Sequence, residues 1–204
     1  AIREYALNYP GRGYGGWFNQ WIHLDNPKPY NSFGNGSAMR VSPVGWAFDT
    51  LGETIKEAEK SAAVTHNHPE GRKGAKVVAA AIFLARTGHD KDEIKKFIEK
   101  SYSYNLSRTL EEIKPFYSFN ETCQKTVPEA LICFLESVDF EDAIRKAIWL
   151  GGDSDTLACI TGGIAEAYYR KMPEDWTEKS VNLLDDALKE TLILFQDKFQ
   201  KFKS

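Results

Sequence analysis

The stretch from Gly74 to Thr87 constrains the fold most strongly, because as a helix it is apolar around nearly its whole circumference. A helix that is apolar on all sides is a buried one, so other elements must surround it. Gly88 follows directly and suits the C-terminal end of that helix, since glycine adopts positive φ without strain. The sequence therefore predicts that this helix is buried.

The rest of the chain has helical periodicity and no strand signal. Ile55, Ala58 and Ala62 recur on one face of a helix that is expected to end before Pro69. Asp90 and Glu93 are spaced as a capping box, and Pro128 suits the first turn of a helix. Helices are predicted over residues 2–8, 16–24, 53–65, 74–87, from 90 onward, from 128 onward, 140–150, 156–169 and 176–202. We therefore expect a single all-α domain over residues 1–204, a compact bundle of about eight helices.

Charge and cysteine content narrow the function classes. Twenty-six Lys and Arg against 29 Asp and Glu give a net charge of −3, which supplies no positive field for nucleic acid or an anionic membrane. No apolar run approaches the roughly 18 residues that span a bilayer, and the first residues lack a leader pattern. Cys123, Cys133 and Cys159 are expected to be reduced thiols, the last two in the core. These features predict a cytoplasmic protein without nucleic-acid or membrane partners.

Residues 151–156 (GGDSDT), the acid loop, carry the strongest chemical signal. Asp153 and Asp155 with Thr156 offer hard oxygen ligands of the kind that magnesium prefers. A helix cap is the alternative interpretation, although a cap requires only one such side chain. The aspartate nucleophile loop of haloacid-dehalogenase phosphatases is rejected, because that loop follows a buried strand and places its threonine four positions after the first aspartate.

Two further segments contain side chains that suit ligand binding. Residues 33–40 (FGNGSAMR), the glycine loop, place glycines beside Phe33, an aromatic ring that suits stacking on a base. Residues 65–71 (THNHPEG), the histidine segment, contain two histidines but no third strong metal ligand. His66 is expected to face inward, whereas His68 is expected to lie in a loop.

Together with residues 9–15 (YPGRGYG), these segments resemble, in the same order, the motifs of the ADP-ribosylglycohydrolase family, related to dinitrogenase reductase-activating glycohydrolase. The resemblance implies an all-α fold around a two-magnesium site that cleaves the glycosidic bond between ADP-ribose and a protein side chain or another leaving group. It implies that the metal ligands are Asp153, Asp155 and Thr156. It implies that ADP-ribose is bound by Phe33, Gly34, Asn35, Gly36, Ser37, Met39 and His66.

The chain departs from the family pattern at its amino-terminal side. Family members carry there a glycine- and acid-bearing motif and a Thr-Asp-Asp motif, which supply the other metal ligands and the usual catalytic carboxylate. The 204 residues contain neither, and the nearest loop aspartates, Asp25 and Asp49, stand in other contexts. The catalytic residue is therefore unassigned. Three explanations are open: the chain is a truncated or processed enzyme, it pairs with a second polypeptide, or it is a natural short form. We also expect it to associate with itself or with a partner segment through exposed apolar surface.

Three functions remain open from the sequence. The first is Mg²⁺-dependent hydrolysis of an ADP-ribosyl adduct, the activity that the resemblance implies. The second is a module that binds ADP-ribose without turnover, and the third is a structural protein like the lens crystallin relatives of the family. The intact acid loop and glycine loop favour the first two.

Overall fold

The structure, a computed structural model, describes residues 1–199. Within that range it contains thirteen α-helices, a short 3₁₀ turn and no strand, so the predicted all-α class is confirmed. The helices, numbered in chain order, are α1 (Ile2–Asn8), α2 (Gly16–Ile22), α3 (Gly36–Met39), α4 (Ser42–Ala47), α5 (Leu51–Ala63), α6 (Pro69–Arg86), α7 (Lys91–Tyr102), α8 (Leu110–Ile113), α9 (Cys123–Glu136), α10 (Phe140–Leu150), α11 (Ser154–Tyr169), α12 (Glu174–Asn182) and α13 (Asp186–Phe199), with the 3₁₀ turn at Lys114–Phe116. Several are single turns, which explains why periodicity indicated only about eight.

Helix α6 is the predicted buried helix, and it packs against α3, α4, α5, α7, α9 and α11. It begins at Pro69, five residues earlier than expected, because His68 accepts a hydrogen bond from the Glu70 N–H through Nδ1 and so caps the helix. Proline is favourable in a first turn, where its missing N–H costs nothing. Gly71 lies inside the helix, where a Cβ would stand 2.6 Å from the Ser32 carbonyl oxygen. Pro69 and Gly71, which resemble helix breakers in the sequence, thus both lie within the helix.

Helix α9 also begins earlier than expected. It starts at Cys123, so Pro128 lies in its second turn instead of its first. The early start is fixed by the Cys123 N–H, which donates to the Phe33 carbonyl oxygen at 2.9 Å. The first turn of α9 is therefore fastened to the glycine loop.

The carboxy-terminal prediction of one helix over residues 176–202 is wrong, because α12 and α13 are separate. Asp185 ends the continuity, since its side chain accepts a hydrogen bond from the Leu188 N–H at 3.0 Å and caps α13. Neither helix contains a buried residue. Residues 200–202 of the prediction lie outside the described residues.

Helices α1 and α2 form a small apolar cluster beside the main core, in which Ala6, Trp21 and Ile22 are buried. Arg3 ties the two helices together by donating to the carbonyl oxygens of Ile22 and Leu24. In the described part of the chain, no helix has the length and apolar content needed to cross a membrane.

Candidate functional site

The glycine loop is held in place by a short antiparallel contact with the residues that precede α9. The Asn35 N–H donates to the Glu121 carbonyl oxygen at 2.7 Å, and Gly34 and Thr122 form an isolated bridge. The Cys123 thiol donates to the Gly34 carbonyl oxygen at 3.1 Å. The backbone of this loop is therefore fixed by the protein itself.

Residues 36–39 of the glycine loop form α3, although the sequence predicted only irregular structure there. Ser37 is buried, and its hydroxyl donates to the Gly71 carbonyl oxygen at 2.8 Å. This hydrogen bond holds α3 against the first turn of α6. The Ser37 side chain thus supports the loop, which leaves its backbone for any contact with a ligand.

His66 is buried, as expected, and its ring lies against the two glycines of the loop. A Cβ on Gly36 would stand 3.4 Å from His66 Nε2, and one on Gly34 would stand 3.5 Å from the same atom. Burial, together with the positive charge of Arg40, lowers the pKa of His66 to about 4. The imidazole is therefore neutral at pH 7, with Nε2 directed at the glycine loop.

Asn35 joins the glycine loop to the acid loop. Its Nδ2 donates to Asp153 Oδ2 at 2.6 Å and to Thr126 Oγ1 at 3.1 Å, and all three side chains are buried. The predicted metal ligand and the predicted substrate loop thus meet directly, although 118 residues separate them in the chain. Thr126, which the sequence analysis missed, is the third member of this junction.

The acid loop owes its shape to Gly151 and Gly152, whose φ angles are 82° and 68°. Asp153 occupies the N-cap position of α11, but its side chain makes no capping hydrogen bond. The capping interpretation therefore does not explain Asp153. Its carboxylate is directed to Asn35 instead.

The carboxyl groups of Asp153 and Asp155 act on each other. Burial raises the pKa of Asp153, and its neighbour Asp155 raises it further. The hydrogen bond with Asp153 lowers the pKa of Asp155. Asp155 is exposed, and its Oδ1 accepts a hydrogen bond from the Thr156 N–H at 3.0 Å. Two acidic groups are thus held together at the start of α11.

The other predicted site residues lie around this pair. Thr156 Oγ1 is 3.8 Å from the Met39 sulfur, which connects the acid loop to the end of α3. Phe33 is half-exposed, and its ring centroid is 5.3 Å from that of His68. No group of three His, Cys, Asp or Glu side chains within residues 1–199 has the geometry to hold a metal ion. The proposed ligand roles therefore remain predictions.

Cys159 corrects one expectation, because its side chain is exposed and not part of the core. Its thiol donates to the Met39 carbonyl oxygen at 3.3 Å. Helix α11 has apolar residues on most of its surface, so periodicity alone did not indicate which face is covered. Cys123 and Cys133 are buried, and all three cysteines are free thiols.

A cleft of about 470 Å³, which the sequence analysis did not find, adjoins the acid loop. Tyr117 lines it and also packs against Gly152, where a Cβ would stand 2.7 Å from the Tyr117 ring. Glu129 lines the same cleft, is 5% exposed, and accepts a hydrogen bond from Arg108 at 2.9 Å through Oε1. Burial raises the pKa of Glu129, while Arg108 lowers it. All of its lining residues lie within residues 108–129, a stretch in which residue types and spacing form no recognisable motif.

The fold and the site together define an all-α protein in which a glycine loop and an acid loop meet. Comparison with known proteins identifies the class, because the sequence model of the ADP-ribosylglycohydrolase family matches residues 3–201. The chain belongs to the ADP-ribosylglycohydrolase family.

The similar proteins agree with that assignment. ADP-ribosylhydrolase ARH3 of Homo sapiens is 29% identical over an alignment of 262 residues, which covers 98% of this chain and 70% of that protein. ADP-ribosylarginine hydrolase Tri1 of Pseudomonas putida (strain GB-1) is 27% identical and aligns with 80% of this chain and 46% of its own length. These relatives are named as hydrolases, so the family is one of glycosidase-type enzymes that act on ADP-ribosyl groups.

A solved structure supports the fold. The chain named "ADP-ribosylglycohydrolase-related protein complex" superposes with a TM-score of 0.66 at 24% identity, over 87% of this chain and 64% of that one. The present chain thus spans less than two thirds of that structure.

Proposed function

We propose that this chain binds the ADP-ribosyl group and, with magnesium, takes part in hydrolysing the glycosidic bond that joins ADP-ribose to a modified protein side chain or a related adduct. The hydrogen bond from Asn35 Nδ2 to Asp153 Oδ2, at 2.6 Å, is the observation that carries the proposal. It brings the loop that suits a nucleotide to the carboxylates that suit a cation. A helix cap or a purely structural role does not require that contact.

The donor set fits magnesium in kind. Asp153, Asp155 and Thr156 would hold the ion, since carboxylate and hydroxyl oxygens are its preferred protein ligands and water fills its remaining positions. The raised pKa of Asp153 next to Asp155 supports this assignment, because two acidic groups held together attract a cation. When bound, magnesium supplies positive charge that polarises oxygen atoms of the substrate and the attacking water.

The protein's own residues would bind and orient the ADP-ribosyl group. Phe33, which is 45% exposed, offers a ring on which adenine can stack. Neutral His66 faces Gly34 and Gly36, where the glycines allow a ligand to approach the backbone closely. Asn35 holds Asp153 in a fixed orientation beside the bound group. The catalytic acid or base stays unassigned.

A second candidate function is an ADP-ribose-binding module without turnover. Two observations favour it. The glycine loop is fully assembled by protein contacts. The acid loop has two carboxylates, and among residues 1–199 no third acidic, histidine or cysteine ligand joins them. In that case the glycine loop would provide the affinity. Magnesium would then contribute little.

Isothermal titration of ADP-ribose into the 204-residue chain, with and without Mg²⁺, separates the two candidates. The matched variants are Asp153→Asn with Asp155→Asn, and the control is Asp25→Asn, an exposed aspartate outside both loops. Magnesium-dependent binding that the double variant loses supports the metal-dependent function. Equal binding in both conditions supports the non-catalytic module, and no binding in either condition overturns both.

Release of ADP-ribose tests hydrolysis and the linkage together. Peptides that carry ADP-ribose on arginine or on serine are incubated with the chain and Mg²⁺, and free ADP-ribose is measured by chromatography. Release from one peptide and not the other identifies the linkage. Binding of ADP-ribose without release from either peptide or from a small-molecule adduct would favour the binding module.

A further inference from the structure

The last side chain of the glycine loop, Arg40, forms a hydrogen-bonded chain with Thr65 and His66. Arg40 Nη2 donates to Thr65 Oγ1 at 2.9 Å and to the Ser61 carbonyl oxygen at 3.2 Å. Thr65 Oγ1 lies 2.7 Å from His66 Nδ1. Thr65 has no exposed surface, so its hydroxyl cannot exchange these partners for water. The chain runs from the end of α3, through the residues after α5, to the ring that faces the glycine loop.

The direction of these hydrogen bonds follows from the chemistry of the groups. A guanidinium can only donate, so the Thr65 oxygen accepts from Arg40. The single hydroxyl hydrogen of Thr65 then needs an acceptor of its own. Among the described residues, His66 Nδ1 is the one acceptor that lies within hydrogen-bond distance of it. The opposite arrangement, with Nδ1–H donating to Thr65, would leave a buried hydroxyl hydrogen unpaired.

We infer that Arg40 and Thr65 are positioning residues that fix His66 as the neutral tautomer protonated on Nε2. His66 then presents a hydrogen-bond donor to the glycine loop and cannot accept a proton there as a general base. The part of the ligand that it recognises must carry an acceptor oxygen, such as a phosphoryl or hydroxyl oxygen. Assigning that oxygen to ADP-ribose rests on the proposed function, whereas the tautomer does not.

The surroundings of His66 agree with this inference. The burial of the ring and the charge of Arg40 both lower the pKa of His66, so the doubly protonated form is disfavoured at pH 7. Tyr30, whose ring centroid is 6.2 Å from that of His66, stays neutral, because burial raises its pKa. Neither of the two effects that shift the pKa of His66, burial and the charge of Arg40, comes from a negative side chain. The ring is thus held uncharged, with one defined donor.

Nitrogen-15 NMR of the histidine side chains tests the tautomer directly. In the wild-type chain, long-range nitrogen–proton correlations should show His66 protonated on Nε2. His23 is an internal control of the opposite kind, since its Nδ1 lies 2.8 Å from the Asn19 carbonyl oxygen, which can only accept. Protonation of His66 on Nδ1 in the wild-type spectrum overturns the inference, and this reading needs no variant that might misfold.

Variants at Thr65 test the positioning role. Thr65→Val keeps the shape and removes the hydroxyl, so His66 should become a mixture of tautomers, while Thr65→Ser should restore the wild-type pattern. An unchanged His66 spectrum in Thr65→Val would show that Thr65 does not set the tautomer. Because both variants preserve most of the buried volume, the comparison separates the hydroxyl from packing.

Titration of ADP-ribose provides the functional readout. Thr65→Val should weaken binding about two- to threefold, because only the Nε2-protonated fraction of the tautomer mixture donates to the ligand, and Thr65→Ser should match wild type. If wild type binds ADP-ribose and Thr65→Val binds equally well, the donor role of His66 is wrong. If wild type does not bind at all, the proposed function fails, while the NMR result still decides the tautomer.

Discussion

The glycine loop and the acid loop meet at one hydrogen bond, but they are stabilised in different ways. In the glycine loop the backbone is paired with residues 121–123, and the buried side chains of Asn35 and Ser37 both have protein partners. The acid loop depends on two glycines at positive φ and holds two carboxyl groups, of which Asp155 raises the pKa of buried Asp153. The first loop is therefore complete without a ligand, whereas the second gains stability when positive charge arrives. We therefore expect changes of side-chain shape to matter most in the glycine loop, which is the nucleotide half of the site. Changes of charge should matter most in the acid loop, which is the acidic half.

The largest expected effect comes from the backbone of the acid loop. Gly152→Ala should lower the free energy of unfolding by about 3 to 4 kcal/mol, because alanine is strained at positive φ and its Cβ would overlap Tyr117. That Cβ would stand 2.7 Å from the Tyr117 ring and 3.1 Å from the Ser118 carbonyl oxygen. Urea denaturation measures the change.

Gly52→Ala is the matched control for that substitution. Gly52 lies in α5 at ordinary φ, and a Cβ there would have no atom within 4 Å. Alanine should stabilise the chain by about 0.5 to 1 kcal/mol, because it has the higher helix propensity. An equal loss in both variants would show that the geometry of the acid loop is not special.

The second effect is the pH dependence of stability, which should differ between His66 beside the glycine loop and Asp153 in the acid loop. His66 has a pKa of about 4 in the folded protein, against an ordinary value of 6.5, so between these values the unfolded chain binds a proton that the folded chain does not. The free energy of unfolding should therefore fall by up to about 3 kcal/mol as pH decreases from 6.5 to 4. Asp153 acts in the opposite direction, because its pKa is raised on folding and its contribution is lost as pH rises through the folded value.

Urea denaturation of wild type and His66→Gln across this pH range measures the histidine contribution. The variant should show a flatter decline toward acid pH than wild type. His23→Gln, at an exposed position, is the control and should leave the decline unchanged. Parallel curves for wild type and His66→Gln would contradict the assignment of this pH dependence to His66.

Local patterns were sufficient to predict the helices whose signals are contiguous in the chain. The apolar run in α6 and the capping box of Asp90 and Glu93 in α7 are both present as expected. The start of α6 was missed because Gly71 inside a helix is favourable only where Ser32, almost 40 residues away, leaves no room for a side chain. The break between α12 and α13 had a local signal in Asp185, whose capping role was overlooked.

The site was predictable by segments and not as an assembly. The acid loop and the glycine loop could each be found from residue types and spacing. Their contact depends on Asn35, Thr126 and Asp153, which packing of α3, α9 and α11 brings together. No local pattern specifies such long-range packing. The cleft beside Tyr117 is lined by one stretch, within residues 108–129, and was not predicted because its side chains form no recognisable motif.

The third effect tests whether the shape of a side chain in the nucleotide half, the ring of Phe33, contributes to the affinity for ADP-ribose. Phe33→Ala should weaken ADP-ribose binding by about five- to tenfold, because a stacking surface worth about 1 kcal/mol is removed. The Phe33 ring is half-exposed, so the stability of the chain should change little. Tyr5→Ala is the control, since Tyr5 has nearly the same exposure, 43% against 45%, and lies in α1. Equal titration curves for Phe33→Ala and wild type would remove Phe33 from the binding site.

The smallest effect concerns charge in the acidic half. Without magnesium, Asp155→Asn should lower the melting temperature by about 1 to 2 °C, because the lowered pKa of Asp155 means that its charged form favours the folded state. With magnesium the difference between wild type and variant should widen. At ten times its dissociation constant the ion would stabilise wild type by about 1.4 kcal/mol, and the variant, with one ligand fewer, would gain less. Calorimetry in the presence and absence of Mg²⁺, with Asp25→Asn as control, measures both arms. If magnesium changes the melting temperature of wild type and Asp155→Asn equally, Asp155 is not a ligand. The acid loop would then depend on a bound cation no more than the glycine loop does.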